Sequence, residues 1–256
     1  MRTTTLVRAV ARKQVILLTR YPLNTASQIV GLYIFFALIF FGGQAVAGAA
    51  IDDSLSGLVV GFFLYTMAFT AFAGLSWAIT REAQWGTLEQ LYMSPYGFGQ
   101  VMAVRVGVNL LVSLFYGATI LVLMLLTTGQ SLTVDVLTVV PVVLLTLASA
   151  VGVGFVFGGL ALVYKRIENV FQLTQFGFIL LIAAPIDQYP LLAALPLAQG
   201  SHLLQEAMQG GVRLWAFAPS ELATLVATAV GYSVVGYLVF LRASDRARRD
   251  GALGQY

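Results

Sequence analysis

Six apolar runs, at 26–47, 55–79, 102–127, 134–163, 169–186 and 220–241, occupy most of the 256 residues. Inside hydrocarbon no backbone group finds water, so such segments have two solutions: helices that satisfy their own N–H and C=O groups, or a closed barrel. Barrel strands alternate apolar and polar residues, and these runs do not. A helix of about 20 residues crosses the roughly 30 Å hydrocarbon core. The expected fold is therefore an all-α integral membrane protein with six transmembrane helices, folded as one domain over 1–256. Composition agrees: 59% of residues are hydrophobic and 10% charged, against about 45–50% and 25% in a soluble domain.

Charge orients the helices, because loops on the cytoplasmic side retain Lys and Arg. With the N-terminus inside, thirteen of the fourteen basic residues fall on the cytoplasmic side and only Arg213 falls outside. Both termini are expected to be cytoplasmic. The basic residues are spread over membrane-flanking sites, which makes them topology determinants and speaks against a nucleic-acid partner. Ala45-Val46-Ala47 resembles a signal cleavage site, but the apolar run before it is too long and begins too late. The chain has no cysteine, which removes disulfides and thiolate metal sites.

Residues 1–21 carry Arg2, Arg8, Arg12, Lys13 and Arg20 among Leu6, Val7, Val10, Leu17 and Leu18. This pattern predicts a basic amphipathic helix in the inner interface, in contact with membrane lipid. Pro22 separates it from the first span. In the fourth run, Gly152, Gly154, Gly158 and Gly159 permit close helix approach, within the chain or between copies. Glu168, Gln172 and Gln175 share one helical face at the start of the fifth span. Two readings fit them: a lining for a transport route, or a polar helix end bonded to its neighbours. The external loop, 187–219, is divided by Pro190, Pro196, Gly200, Gly210 and Gly211 into pieces too short to span, which predicts re-entrant or interfacial helices. Its His202 is the only histidine and is expected to be a surface or hydrogen-bond-satisfied residue and not a ligand, so no metal site is assigned. Residues 242–256 form a short basic tail.

The cytoplasmic loop at 80–100 contains Arg81-Glu82-Ala83-Gln84-Trp85-Gly86-Thr87-Leu88-Glu89-Gln90-Leu91-Tyr92-Met93-Ser94-Pro95. Gly86-Thr87 should break the descending helix. Thr87 and Gln90 stand in capping-box spacing, Glu89 sits in the first turn where the helix dipole favours an acid, and Pro95 stops the new helix. Leu88, Leu91 and Tyr92 give it one apolar face. Spacing alone allows a helix lying on headgroups or one docked in a protein groove. Interfacial helices usually carry Lys and Arg, whereas this one offers Glu82 and Glu89, which favours the groove.

These residues resemble the signature of type 2 permeases of ATP-binding cassette (ABC) transporters, the membrane subunits of drug, lipid and polysaccharide exporters. Glu82, Gly86, Thr87, Leu88, Glu89, Leu91, Ser94 and Pro95 match that pattern in order, and Arg105 stands near a basic position that often follows. The N-terminal amphipathic helix, the six spans and the short external helices agree with the family over nearly the whole chain. Ala83 and Gln84 depart from it, where the family often has a basic residue and a second acid. The resemblance implies a coupling helix formed around Leu88 to Tyr92, a partner ABC ATPase subunit, and a second permease copy, identical or different. It further implies residence in the cell membrane of a prokaryote.

The chain contains no Gly-x-x-x-x-Gly-Lys-Ser/Thr phosphate loop. It is therefore expected to bind no cofactor, with ATP and Mg on the partner ATPase, and to contain no catalytic residue. The alternative is an ATP-independent secondary transporter or channel. That class usually carries ionisable residues near the midplane, and no Asp, Glu, Lys or Arg lies in the middle of any run. A membrane-embedded enzyme would need clustered His or carboxylates, and the sequence shows one histidine and scattered acids.

Overall fold

The computed structural model describes residues 2–47, 52–84, 93–164 and 168–249. It is 87% helical with no strand among the described residues. The helices are α1 (Arg2–Arg20), α2 (Pro22–Ala47), α3 (Asp52–Gln84), α4 (Phe98–Thr128), α5 (Val136–Tyr164), α6 (Glu168–Ile182), α7 (Ala198–Gly210) and α8 (Pro219–Arg249). Short 3₁₀ turns at Pro190–Ala194 and Leu214–Ala216 flank α7. Among the described residues α2, α3, α4, α5 and α8 are long and apolar enough to cross a membrane, which marks a multi-pass membrane protein.

The N-terminal helix is amphipathic, but its buried stripe faces protein. Leu6, Val10, Gln14 and Leu18, four residues apart, are half-buried where α1 packs on α4 and α2, while Val7 and Leu17 are exposed. Proline at the first helical position starts α2 immediately after Tyr21, because its missing N–H has no intrahelical partner there. The Thr25 hydroxyl ties the joint by donating to Leu18 O at 3.2 Å.

At the centre, α3 packs on α4 and α5, and Val59, Leu64, Met67, Ala68, Phe72 and Ile79 are shut off from solvent. The glycines of α5 divide between two neighbours. Gly154 and Gly158 face Phe72 and Ile79 of α3, while Gly152 and Gly159 face the α8 backbone at Tyr232 and Phe240. The pattern of small residues is therefore used for packing within the chain. Ser233 on α8 adds a hydrogen bond to Ala148 O at 2.9 Å.

The fifth apolar run is shorter as a helix than as a run. With 15 residues, α6 extends about 22 Å and ends at Ile182, ahead of Pro185. α7 closes over its end: Ser201 Oγ donates to the Ile182 carbonyl at 2.7 Å. Helix α7 is buried along Leu203, Leu204, Ala207 and Met208, more deeply than a helix resting on a surface. Its entry is strained. Leu197, the residue before it, has φ 70°, a left-handed conformation that a bulky side chain avoids. Burial of that side chain and an N–H donated to Ser149 Oγ at 3.1 Å hold it there. At the other end of the chain α8 runs on to Arg249, so described residues of the basic tail continue the helix, with Ser244 and Ala247 buried.

Candidate functional site

The signature segment joins the end of α3 to the start of α4. At this end Arg105 donates from a guanidinium nitrogen to Glu82 Oε1 at 2.9 Å, with the side chains 20% and 16% exposed. Two residues far apart in sequence thus clamp the end of α3 to the start of α4. In these half-buried positions the ion pair is screened less than one in open water. The charge of Glu82 is met inside the chain.

On the return side, Ser94-Pro95-Tyr96-Gly97 forms a β-turn. Gly97 N–H donates to Ser94 O at 3.0 Å, and Tyr96 N–H donates to Ser94 Oγ at 3.4 Å. Serine first and proline second are the residues such a turn favours. Gly97 has φ 76°, accessible to glycine, and its carbonyl accepts the Val101 N–H at 3.2 Å to start α4. Gly86, Thr87, Leu88, Glu89, Leu91 and Tyr92, with the expected coupling helix, lie outside the described residues.

Two open clefts flank α3. One, of about 570 Å³ and bounded by α1, α2, α3 and α4, contains Gln14, Asn24, Gln28, Trp77, Arg81 and Asn109. Asn109 is held by two hydrogen bonds from Nδ2, to Thr70 O at 3.0 Å and Ala71 O at 3.1 Å. A Cβ on Gly74 would occupy the space of the Asn109 side chain, so glycine there admits the polar brace. The other cleft, of about 640 Å³, lies between α2, α3, α6 and α7. Its wall is aromatic, with Phe35 to Phe62 at 5.8 Å and Phe62 to Tyr65 at 5.6 Å between centroids. Asp187, His202, Gln205 and Gln209 give that cleft a polar edge.

Of the polar residues expected to share a face of α6, the two glutamines stand apart from both clefts. Glu168 opens the helix, Gln172 is exposed and Gln175 half-buried, and neither glutamine lines a cleft. The packed stripe of α6 is Phe171, Phe178 and Ile182, with Phe171 and Phe178 edge-on to Phe72 of α3. Sequence reading missed Asn109, Arg105 as the partner of Glu82, and the polar edge at Asp187 and His202. Each depends on which helices become neighbours.

No protein-family model matches the chain, and no curated protein does.

Proposed function

We propose that the chain is the transmembrane permease subunit of an ABC exporter, moving an amphiphilic substrate (a drug, lipid or lipid-linked glycan) outward with energy from a separate ATPase subunit. The observation that carries this reading is the Glu82–Arg105 pair at the root of a segment bearing Glu82, Gly86, Thr87, Leu88, Glu89, Leu91, Ser94 and Pro95 in the order of the type 2 permease signature. A segment that transmits force needs a stiff base, and the pair joins two helices into one at that point.

In this mechanism the face formed by Leu88, Leu91 and Tyr92 sits in a groove of the ATPase, as an amphipathic helix sits in a partner. Closure of the ATPase on ATP and Mg moves the segment, and α3 with α4 moves as a unit. Because α3 also packs on α5, and α5 on α8, motion reaches the whole bundle. The polar cleft beside Arg81 suits the headgroup of an amphiphile entering from the cytoplasmic side, and the aromatic cleft suits its apolar body. Ala83 and Gln84 reduce the charge offered to the ATPase, and Glu82 is already paired, so apolar contact dominates docking.

The functional unit contains a second permease copy. Helix α2 is the least covered of the long helices, with Val30, Ile34, Leu38 and Phe41 exposed, which gives such a copy an apolar surface. Both termini face the cytoplasm of a prokaryotic cell. The test is substitution within the docking face. Leu88→Asp or Leu91→Asp should abolish co-purification of the ATPase while leaving the permease helical and monodisperse. Unchanged complex yield refutes the docking role.

A further inference from the structure

At the end of the bundle remote from Arg105, the single histidine lies among carboxylates that the sequence places far apart. His202 Nε2 is 3.4 Å from Glu206 Oε1 and 3.8 Å from Asp187 Oδ1. The donor atoms of His202, Glu206 and Glu221 all lie within 4.8 Å of one another, and all three residues are half-buried. Three parts of the fold supply them. His202 and Glu206 are one turn apart on α7, Glu221 is in the first turn of α8, and Asp187 follows α6.

Two ligands on one zinc ion, each about 2.0–2.1 Å from it at a tetrahedral angle, stand roughly 3.3–3.4 Å apart. The His202–Glu206 separation of 3.4 Å already meets that requirement. Glu221 is oriented by a hydrogen bond outside the cluster, its Oε2 accepting the Ala218 N–H at 3.0 Å. This leaves Oε1 to bind and gives the carboxylate the kind of outer support that metal ligands use. Among the described residues no Lys or Arg forms an ion pair with Asp187, Glu206 or Glu221. Arg213, the only basic residue between 187 and 219, has its guanidinium carbon 5.7 Å from the centroid of the Trp215 ring. Converging carboxylates without a basic partner favour a bound cation, and the imidazole among them selects a transition metal over the all-oxygen preference of calcium or magnesium.

We propose that His202, Glu206 and Glu221 form a binding site for a divalent transition-metal ion of the zinc class, with Asp187 or water completing its coordination. The bound ion fastens α7 to the start of α8. Because His202 and Asp187 also line the aromatic cleft, the ion stiffens the edge of that cleft. Its role is structural and involves no bond-breaking step.

The test uses the full chain, purified in detergent and stripped of metal by chelation. Zinc titration should raise the unfolding temperature in a saturable manner, and cobalt(II) should develop visible absorption bands on binding. His202→Gln and Glu206→Gln should each weaken zinc binding at least about tenfold, while magnesium and calcium leave the unfolding temperature unchanged. Circular dichroism of each variant establishes that it is folded. Should His202→Gln fail to fold, Glu206→Gln in the same titration decides. Absence of a zinc-dependent shift, zinc affinity unaffected by the substitutions, or an equal response to calcium would each overturn the site. No ATPase takes part, so failure here leaves the permease reading untouched.

Discussion

Gly236→Ala should destabilise the protein even though alanine is the better helix former. A Cβ at Gly236 would lie 2.9 Å from Gly152 Cα, and closer still to the Gly152 carbonyl. Carbon atoms pack at about 3.5–4.0 Å and the Gly152 carbonyl carbon would be 2.7 Å away, so α5 and α8 must part by at least roughly 0.8–1.3 Å. That separation strains the Ser233–Ala148 hydrogen bond and opens the contact of Gly159 with Phe240. Overpacking of this kind costs about 1–3 kcal/mol, and a hydrogen bond between membrane helices averages about 0.6 kcal/mol. The helix preference for alanine offsets at most about 1 kcal/mol. The net loss is roughly 1–3 kcal/mol. Gly231, on the same helix with nothing within 4 Å of an added Cβ, supplies the control: Gly231→Ala should be neutral or stabilising by up to about 1 kcal/mol. Reversible SDS unfolding of both variants in mixed micelles, followed by circular dichroism, measures the difference. Equal stability, or a more stable Gly236→Ala, would refute the close crossing of α5 and α8.

The clamp at Glu82 and Arg105 gives a second prediction. Arg105→Glu places two acids together and should lower both the stability of the bundle, by about 1 kcal/mol or more, and ATP-driven transport in reconstituted vesicles. Combining it with Glu82→Arg restores an intrachain pair and should recover most of both losses. A double variant as impaired as the single one would mean that one of the two residues acts on the ATPase instead.

Much of the fold is legible in the sequence because the bilayer imposes simple rules. Run length and apolarity locate the long helices, and Pro22 marks the α1–α2 joint because proline suits only the first turn. What periodicity leaves open is partner choice. The glycines of α5 announce close approach, but which of them face α3 and which face α8 follows from helix order in space. Glu82 and Arg105 read as separate charges until α3 and α4 lie side by side. Helix α6 reads as a full span because Ala183 and Ala184 continue the apolar run, yet Pro185 and the Ser201 hydroxyl at its end set a shorter helix. His202 and Glu206 are one turn apart on α7, but Asp187 and Glu221 come to them from other elements, and a search for local metal motifs does not join residues that only tertiary structure assembles.

The proposed engagement of an ATPase by the segment around Leu88 is open to site-directed photocrosslinking. A photoreactive amino acid at position 88, activated in native membranes, should give a covalent adduct with a protein containing a Gly-x-x-x-x-Gly-Lys-Ser/Thr phosphate loop. The same probe at exposed Leu126 near the far end of α4 should give no such product. Lipid adducts alone at position 88 would mean that the segment lies on the membrane surface and docks no ATPase.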